Sequence, residues 1–128
     1  MTHVLRTTLI ALGCLSIAVP AFAAGEPTKT TKTASGQILT DQKGMTLYVF
    51  DKDAGGKSTC NGQCATNWPP LAAPADAKPM GKYTVVTRDD GAKQWAYNGK
   101  PLYTWVKDAK PGDTTGDGVN NVWHIAKP

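Results

Sequence analysis

The chain contains two copies of one unit, and this duplication limits its fold more than any other feature. When the 128-residue sequence is shifted by 55 residues, nine of the 36 positions from 36 to 71 are identical without a gap. A repeat of this period is one supersecondary unit used twice, in which each copy covers the apolar face of the other. The matched pairs are Gly36 and Gly91, Gly44 and Gly99, Leu47 and Leu102, Tyr48 and Tyr103, Lys52 and Lys107, Asp53 and Asp108, Ala54 and Ala109, Thr59 and Thr114, and Trp68 and Trp123.

The repeated unit has the pattern of β-structure. In residues 47–52, side chains 47 and 49 point to one face of a strand and 48 and 50 to the other, and both pairs are apolar or aromatic. A strand that is apolar on both faces lies at the centre of a sheet or between two layers. Strands are predicted near 37–42, 45–51, 83–89, 93–98, 101–107 and 121–126, with one short helical turn near 59–68. The sequence therefore predicts an all-β fold, a small sandwich or compact barrel built from two pseudo-symmetric repeats.

The N-terminal region is predicted to be a targeting segment followed by a leader. Arg6 precedes a mostly apolar run at 8–19, and the Ala-Phe-Ala of residues 21–23 fits a signal peptidase site. We expect a signal peptide at 1–23, cut near Ala23, and a periplasmic or secreted protein. The alternative is a lipid anchor at Cys14.

The remaining chain divides into a leader and one domain. Residues 24–35 are rich in Thr and Lys and are predicted to be a flexible leader. A single β domain is predicted at 36–128, with repeat one at 36–71, a connection at 72–90 and repeat two at 91–126. No transmembrane segment is expected, because the apolar run is too short to cross a bilayer as a helix.

The charge pattern does not indicate nucleic-acid binding. The 14 Lys and Arg and the 10 Asp and Glu leave a formal charge of +4, but the lysines are scattered and do not interleave with aromatic residues. We therefore expect no nucleic-acid partner.

Several segments together resemble a family of bacterial secreted-repeat lipoproteins that is named for a Tyr-x-(Phe/Trp/Tyr)-x-x-Asp motif. The motif occurs as Tyr-Val-Phe-Asp-Lys-Asp at 48–53 and as Tyr-Thr-Trp-Val-Lys-Asp at 103–108. Further matching segments lie at 58–65, 68–71, 98–103 and 111–116. The resemblance spans residues 36–126 and implies no established activity. The sequence departs from the usual lipid-anchored form because its lipobox is poor, which favours a soluble periplasmic or secreted protein.

Cys60 and Cys64 are the only cysteines that remain after the predicted processing. An i, i+4 spacing on a helical turn brings two Cα atoms about 6 Å apart, within the range of a disulfide. The main prediction is a structural disulfide in an oxidising compartment. A redox-active pair and a cysteine-based metal site are the alternatives.

His124 is the only histidine outside the predicted signal peptide. A structural or solvent-facing role is the main prediction, because the sequence does not bring other ligands to it. Copper or zinc binding is the alternative, with Cys60, Cys64, Met45 or Met80 as partners.

Residues 113–121 resemble the first half of a calcium loop. Asp113 and Asp117 fall at positions 1 and 5 and Gly118 at position 6, but position 12 is His124 rather than a bidentate Glu. A polar, glycine-rich turn is the main prediction and calcium the alternative. We therefore expect no cofactor, with copper, zinc and calcium left open.

The repeated motif itself is predicted to be structural. Asp53 and Asp108 each end a strand, so their carboxylates are placed to accept N–H bonds from the loop that follows. The repeated aromatic residues are expected to pack the core or to form a stacking surface for sugars. They are Tyr48, Phe50, Tyr103, Trp105, Trp68 and Trp123.

No catalytic constellation can be assembled from this sequence. With one histidine and only Ser35 and Ser58 as serines after processing, a Ser-His-Asp triad has few possible members. We expect a non-enzymatic secreted domain of unestablished function that binds a partner or associates with the cell envelope. The alternatives are a periplasmic metal-handling or redox accessory protein using Cys60, Cys64 and His124, and a carbohydrate binder.

Overall fold

The computed structural model describes residues 26–128, and its regular structure is mostly β. The predicted signal peptide at 1–23 and the alternative lipid anchor at Cys14 lie outside the described residues. The all-β prediction is confirmed. The elements are β1 (Lys29–Thr33), β2 (Gly36–Thr40), β3 (Tyr48–Phe50), α1 (Gln63–Asn67), β4 (Tyr83–Thr87), β5 (Lys93–Tyr97), β6 (Lys100–Pro101), a 3-10 turn (Val119–Asn121) and β7 (Trp123–Ile125).

The strands form three small, open, antiparallel sheets. β1 pairs with β2, β4 and β6 flank β5, and β3 pairs with β7. In the β3–β7 sheet, Tyr48 lies opposite Ile125 and Phe50 opposite Trp123. Because β3 belongs to the first repeat and β7 to the second, this central sheet is built across the duplication.

The structure differs from the predicted flexible leader at 24–35. Lys29–Thr33 is a strand whose whole length pairs with Gly36–Thr40. Thr and other β-branched residues suit a strand, and pairing with a neighbour satisfies the backbone without deep burial. The segment before β1 is also attached, because the Thr28 hydroxyl is hydrogen-bonded to the hydroxyl of Tyr83. Each repeat thus opens with an antiparallel hairpin, and the repeats begin earlier than residues 36 and 91.

A pseudo-twofold axis passes between Tyr48 and Tyr103. The amide of Tyr48 donates to the carbonyl of Tyr103 at 2.8 Å, and the amide of Tyr103 donates to the carbonyl of Tyr48 at 3.0 Å. These are equivalent residues of the two repeats, so the reciprocal pair relates one copy to the other. The predicted duplication is confirmed in three dimensions.

The last residues of each repeat form a backbone hydrogen bond with the central strand of the other repeat. The amide of Ala126, in the second repeat, donates to the carbonyl of Leu47 at 2.8 Å, in the first. The equivalent amide of Leu71, in the first repeat, donates to the carbonyl of Leu102 at 2.9 Å, in the second. The two copies are therefore intertwined rather than placed side by side.

The strand around Tyr48 lies between two apolar clusters, as its two apolar faces predict. Tyr48 belongs to a larger cluster and Leu47 to a smaller one. The buried members of the larger cluster are Ile38, Tyr48, Cys60, Trp68, Tyr103, Trp123 and Ile125, and those of the smaller are Leu39, Leu47, Leu102 and Ala126.

The helical turn predicted near 59–68 is present as α1. The helix is capped at its C-terminal end by Trp68, whose amide donates to the carbonyl of Cys64 at 2.7 Å. The 3-10 turn Val119–Asn121 occupies the equivalent place in the second repeat and was not predicted. It contains Asn120 at φ 53°, a left-handed conformation that interrupts the helical backbone. A turn this short and irregular has no helical pattern in its sequence.

Candidate functional site

Four aromatic rings stack on one another across the pseudo-twofold axis. Trp68 and Trp123 form the centre, with ring centroids 3.7 Å apart and planes inclined by 3°. Phe50 stacks on Trp123 at 4.2 Å, and Trp105 stacks on Trp68 at 3.9 Å. Phe50 and Trp105 are equivalent in the two repeats, as are the two central rings. We call these four residues the aromatic stack.

Two tyrosines hold the centre of the stack by their edges. Tyr48 meets Trp68 at 5.5 Å and 81°, and Tyr103 meets Trp123 at 5.1 Å and 90°. Edge-to-face pairs of this kind are each worth about 0.5–1.5 kcal/mol beyond the apolar area that they bury. The central tryptophans are 4% and 2% exposed, whereas Phe50 and Trp105 are half-buried. The stack is therefore a core feature whose two ends reach the surface.

One end of the stack opens into a surface groove of about 400 Å³. Its lining includes three aromatic rings, one ammonium group and two side-chain amides. The lining residues are Phe50, Lys52, Cys64, Asn67, Trp68, Asn120, Val122 and Trp123. At the other end, the Nζ of Lys107, the equivalent of Lys52, lies 5.9 Å from the centroid of the Trp105 ring.

Beside the stack, each motif tyrosine donates its hydroxyl to the motif aspartate of the other repeat. The Tyr103 hydroxyl donates to Asp53 Oδ2 at 2.6 Å, and the Tyr48 hydroxyl donates to Asp108 Oδ2 at 2.7 Å. Burial raises the pKa of both tyrosines above its ordinary value, and the hydrogen bonds to the aspartates raise it further. Both phenols thus stay protonated and act as donors.

The second oxygen of each aspartate binds the loop that follows it. Asp53 Oδ1 accepts from the amide and hydroxyl of Thr59 at 2.7 and 2.9 Å. Asp108 Oδ1 accepts from the amide and hydroxyl of Thr115 at 2.9 and 2.6 Å. Each carboxylate therefore joins its own loop to the tyrosine of the other repeat.

The loop of the first repeat is bound by a further member of this network, Arg88 of the second repeat, which the sequence analysis did not identify as a site residue. Its guanidinium donates to Ser58 Oγ and to Gln94 Oε1, both at 2.8 Å. It also donates to the carbonyl of Cys60 at 2.5 Å and to Asn61 Oδ1 at 3.3 Å. The only signal in the sequence was one arginine in a chain whose other basic residues after Arg6 are lysines.

The predicted disulfide between Cys60 and Cys64 is confirmed. The two Cα atoms are 5.2 Å apart. Cys60 is fully buried in the larger apolar cluster, whereas Cys64, on α1, is half-buried and lines the groove. The bridge thus closes the loop between β3 and α1 against the aromatic stack.

His124 lies on the exposed face of β7, opposite the buried side of Trp123. Its Nε2 is 2.8 Å from Asp51 Oδ2, and both side chains are about half-exposed. Cys60 packs on the same side as Trp123, so the structure does not bring His124 together with the two cysteines. Within residues 26–128, no three side chains among His, Cys, Asp and Glu are grouped closely enough to hold a metal ion together.

The two calcium-loop candidates bind groups of the protein. Asp113 Oδ2 accepts from the amides of Ala109 and Lys110 at 2.8 and 3.1 Å, and its Oδ1 pairs with Lys110 Nζ at 2.9 Å. These contacts hold the pKa of the Asp113 carboxyl below its usual range, the Lys110 side-chain bond contributing most. Asp117 Oδ1 accepts from the amide of Ile125 at 3.1 Å. The structure thus gives both carboxylates a role in fixing turns.

In the part of the chain that the structure describes, no helix has the length and apolar character needed to span a bilayer. The disulfide fits a periplasmic or extracellular location, because disulfides persist in oxidising compartments.

Comparison with known families gives one match, which covers both repeats. The model of a family described as a secreted repeat of unknown function matches residues 29–72 and again residues 84–127. The two matched segments begin 55 residues apart, the period found in the sequence, and the first begins at the strand β1. No curated protein and no solved structure matches the chain. The chain belongs to this family of secreted repeats of unknown function, with two repeats matched.

Proposed function

We propose that this secreted protein is a non-enzymatic binding domain and that its ligand is a saccharide of the cell envelope, held in the groove at the end of the aromatic stack. The observation that carries the proposal is that aromatic rings, two side-chain amides and one ammonium group line the same groove. A few polar groups beside an aromatic ring can fix the orientation of a small ligand.

The groove offers the two kinds of contact that a saccharide needs. The C–H face of a sugar ring packs on an aromatic face, whose quadrupole is negative. The half-buried Phe50 provides such a ring at the groove. The amides of Asn67 and Asn120 can donate to and accept from hydroxyl groups, and Lys52 is a donor that suits a carboxylate or phosphate.

A non-enzymatic role is supported by how the reactive groups are engaged. The Ser58 hydroxyl is buried and hydrogen-bonded to the Tyr103 hydroxyl and to Arg88. His124 lies on the exposed face of β7 and pairs with Asp51. Among residues 26–128, Ser58 and His124 are not hydrogen-bonded to each other, whereas a nucleophile and its general base act as a hydrogen-bonded pair.

The test is a titration followed by tryptophan fluorescence, because Trp68 and Trp123 border the groove. Polygalacturonate serves as an acidic probe and dextran as a neutral one. We expect saturable binding that is weakened by Phe50→Leu and Lys52→Gln and unchanged by Lys78→Gln, which removes an equal charge outside the lining residues. Acidic polymer should bind more tightly, and added salt should weaken that preference.

Two results would contradict the proposal. One is a flat response to both polymers, together with a failure of the protein to sediment with insoluble cell-wall material. The other is equal weakening by Lys52→Gln and Lys78→Gln, which would mean that the polymer responds only to net charge.

A further inference from the structure

Arg88 carries a buried positive charge without a carboxylate beside it. Its side chain is 6% exposed, and its four hydrogen-bond partners are all neutral groups. Among residues 26–128, no carboxylate lies within ion-pair distance of the guanidinium. Two acidic groups are connected to Arg88 only through other side chains. Asp53 is reached through Ser58 and Tyr103, and Asp89 through Asn61.

Such a charge is costly, because a buried ion needs compensation that neutral acceptors supply only in part. Among the acceptors of Arg88 is the carbonyl of Cys60. The partly compensated guanidinium thus contacts the backbone of Cys60, and from this contact we infer that it can stabilise a negative charge on the Cys60 sulfur once the bridge opens.

The two halves of the disulfide differ in access. Cys60 is fully buried, next to the arginine, whereas Cys64 is half-buried and lines the groove beside Trp68. A thiolate arriving from solvent can approach Cys64 but not Cys60. In thiol–disulfide exchange, access and the pKa of the leaving thiol determine which sulfur is attacked and which one leaves.

We propose that the Cys60–Cys64 disulfide is a site of thiol–disulfide exchange with dithiol donors, in which Cys64 is attacked through the groove and Cys60 leaves as a thiolate beside Arg88. This activity goes beyond the proposed saccharide binding and rests on different contacts.

The dithiol donor supplies the two electrons that reduce the disulfide. A donor thiolate forms a bond to Cys64 Sγ, the Cys60–Cys64 bond breaks, and its electron pair remains on Cys60 Sγ. The second donor thiolate then attacks the donor sulfur of this mixed disulfide and releases Cys64. The donor is oxidised to a disulfide, and the protein takes up two electrons and two protons to become the dithiol. Arg88 acts here as a positioning residue, because positive charge near a cysteine favours its thiolate.

The first experiment measures the equilibrium between the native protein without the predicted signal peptide, which removes Cys14, and dithiothreitol mixtures, with free thiols trapped and counted by mass spectrometry. Arg88→Gln is expected to shift the balance toward the disulfide, by up to about tenfold in the reduced-to-oxidised ratio, the factor carried by one pKa unit of a thiol. Arg88→Lys keeps the charge and should remain close to the wild-type protein.

Ser58→Ala is the matched control, since it removes a partner from the same network without changing charge. If Arg88 only braces the loop, Arg88→Gln and Ser58→Ala should both make the disulfide easier to reduce. A shift of Arg88→Gln in that direction, or no shift, overturns the proposal. Near-ultraviolet circular dichroism of the stacked rings verifies that each variant is folded.

The second experiment tests the direction of attack. In Cys60→Ser, the remaining Cys64 should form a mixed disulfide with oxidised glutathione quickly. In Cys64→Ser, the buried Cys60 should react much more slowly. Equal rates in two folded variants would contradict the assignment of Cys64 as the attacked sulfur.

Discussion

At the scale of single residues, the motif shared by the two repeats works as a pair of reciprocal contacts. Tyr48 and Asp108 are 60 residues apart in the chain, and Tyr103 and Asp53 are 50 apart, yet each pair is joined by a short hydrogen bond. The tyrosine rings pack edge-on against the central tryptophans, while their hydroxyls reach the carboxylates. The motif therefore couples core packing to loop position through one side chain.

Removing either hydroxyl should destabilise the protein. Tyr48→Phe and Tyr103→Phe each leave a carboxylate oxygen without its donor, which costs about 1–3 kcal/mol of unfolding free energy. Urea denaturation measures the loss. Tyr97→Phe is the matched control, since its hydroxyl has no hydrogen-bond partner within residues 26–128, and it should change stability little. A cost for Tyr97→Phe equal to that of the other two would contradict this account.

The same hydroxyls predict a dependence of stability on alkaline pH. The pKa of Tyr48 and of Tyr103 is raised above the ordinary 10.0 in the folded protein, by burial first. Unfolding therefore releases protons once the pH exceeds that ordinary value, so the stabilisation is complete below about pH 10 and is lost progressively above it. Urea unfolding at a series of pH values from neutral to alkaline should show this fall.

The double variant Tyr48→Phe/Tyr103→Phe serves as the control for pH. It should start from lower stability and fall less steeply above pH 10, because it lacks both groups. An unchanged slope in the double variant would assign the alkaline loss to other residues.

At the scale of elements, the aromatic stack is held by strands and helical turns from both repeats. β3 supplies Phe50 and β7 supplies Trp123, while Trp68 follows directly after α1. Trp105 lies in the segment after β6. Since none of these elements exceeds five residues, their stability comes from packing on each other rather than from their own hydrogen bonds.

Removing a ring from the centre of the stack should lower the free energy of unfolding more than removing a ring from its end. Trp68→Ala removes a buried ring between two others and should cost about 3–5 kcal/mol. Trp105→Ala removes a half-buried end ring and should cost less, about 1.5–3 kcal/mol at most. Urea denaturation gives both values. Equal costs would mean that the end ring is as fully packed as the centre.

At the scale of the whole molecule, hydrogen bonds and strand pairing join the two repeats in both directions. The amides of Ala126 and Leu71 each bond to the other repeat, and β3 pairs with β7 of the second repeat. The reciprocal bonds between Tyr48 and Tyr103 lie at the centre of this arrangement. One repeat alone would expose its ring at the centre of the stack, Trp68 or Trp123, and the apolar faces of its central strand.

Separated halves are therefore expected to be unfolded alone and folded together. Fragments cut between the exposed residues Ala75 and Asp76 should each lack near-ultraviolet circular dichroism, and mixing them should restore it. The intact chain provides the reference signal. A native-like signal from either fragment by itself would show that the repeats are independent domains.

Local patterns determined part of this structure. The apolar faces of the strand and the Cys60–Cys64 spacing depend only on neighbours in the chain, and the period of 55 residues needs only a comparison of the sequence with itself; these predictions are confirmed. The strand β1 was missed because its residues are Thr and Lys only, and a segment so poor in apolar side chains was predicted to be flexible. Its stability comes from pairing with β2 rather than from an apolar pattern.

Only the tertiary structure decided which copy of each motif contacts which. Because the two repeats carry the same motif, the sequence is equally consistent with Tyr48 bonding Asp53 or Asp108, and only the pairing of strands across the axis selects Asp108. The same holds for Arg88, whose partners in the disulfide loop lie about 30 residues away in the chain. Long-range pairing depends on the packing of the whole chain, and a repeated local pattern cannot specify it.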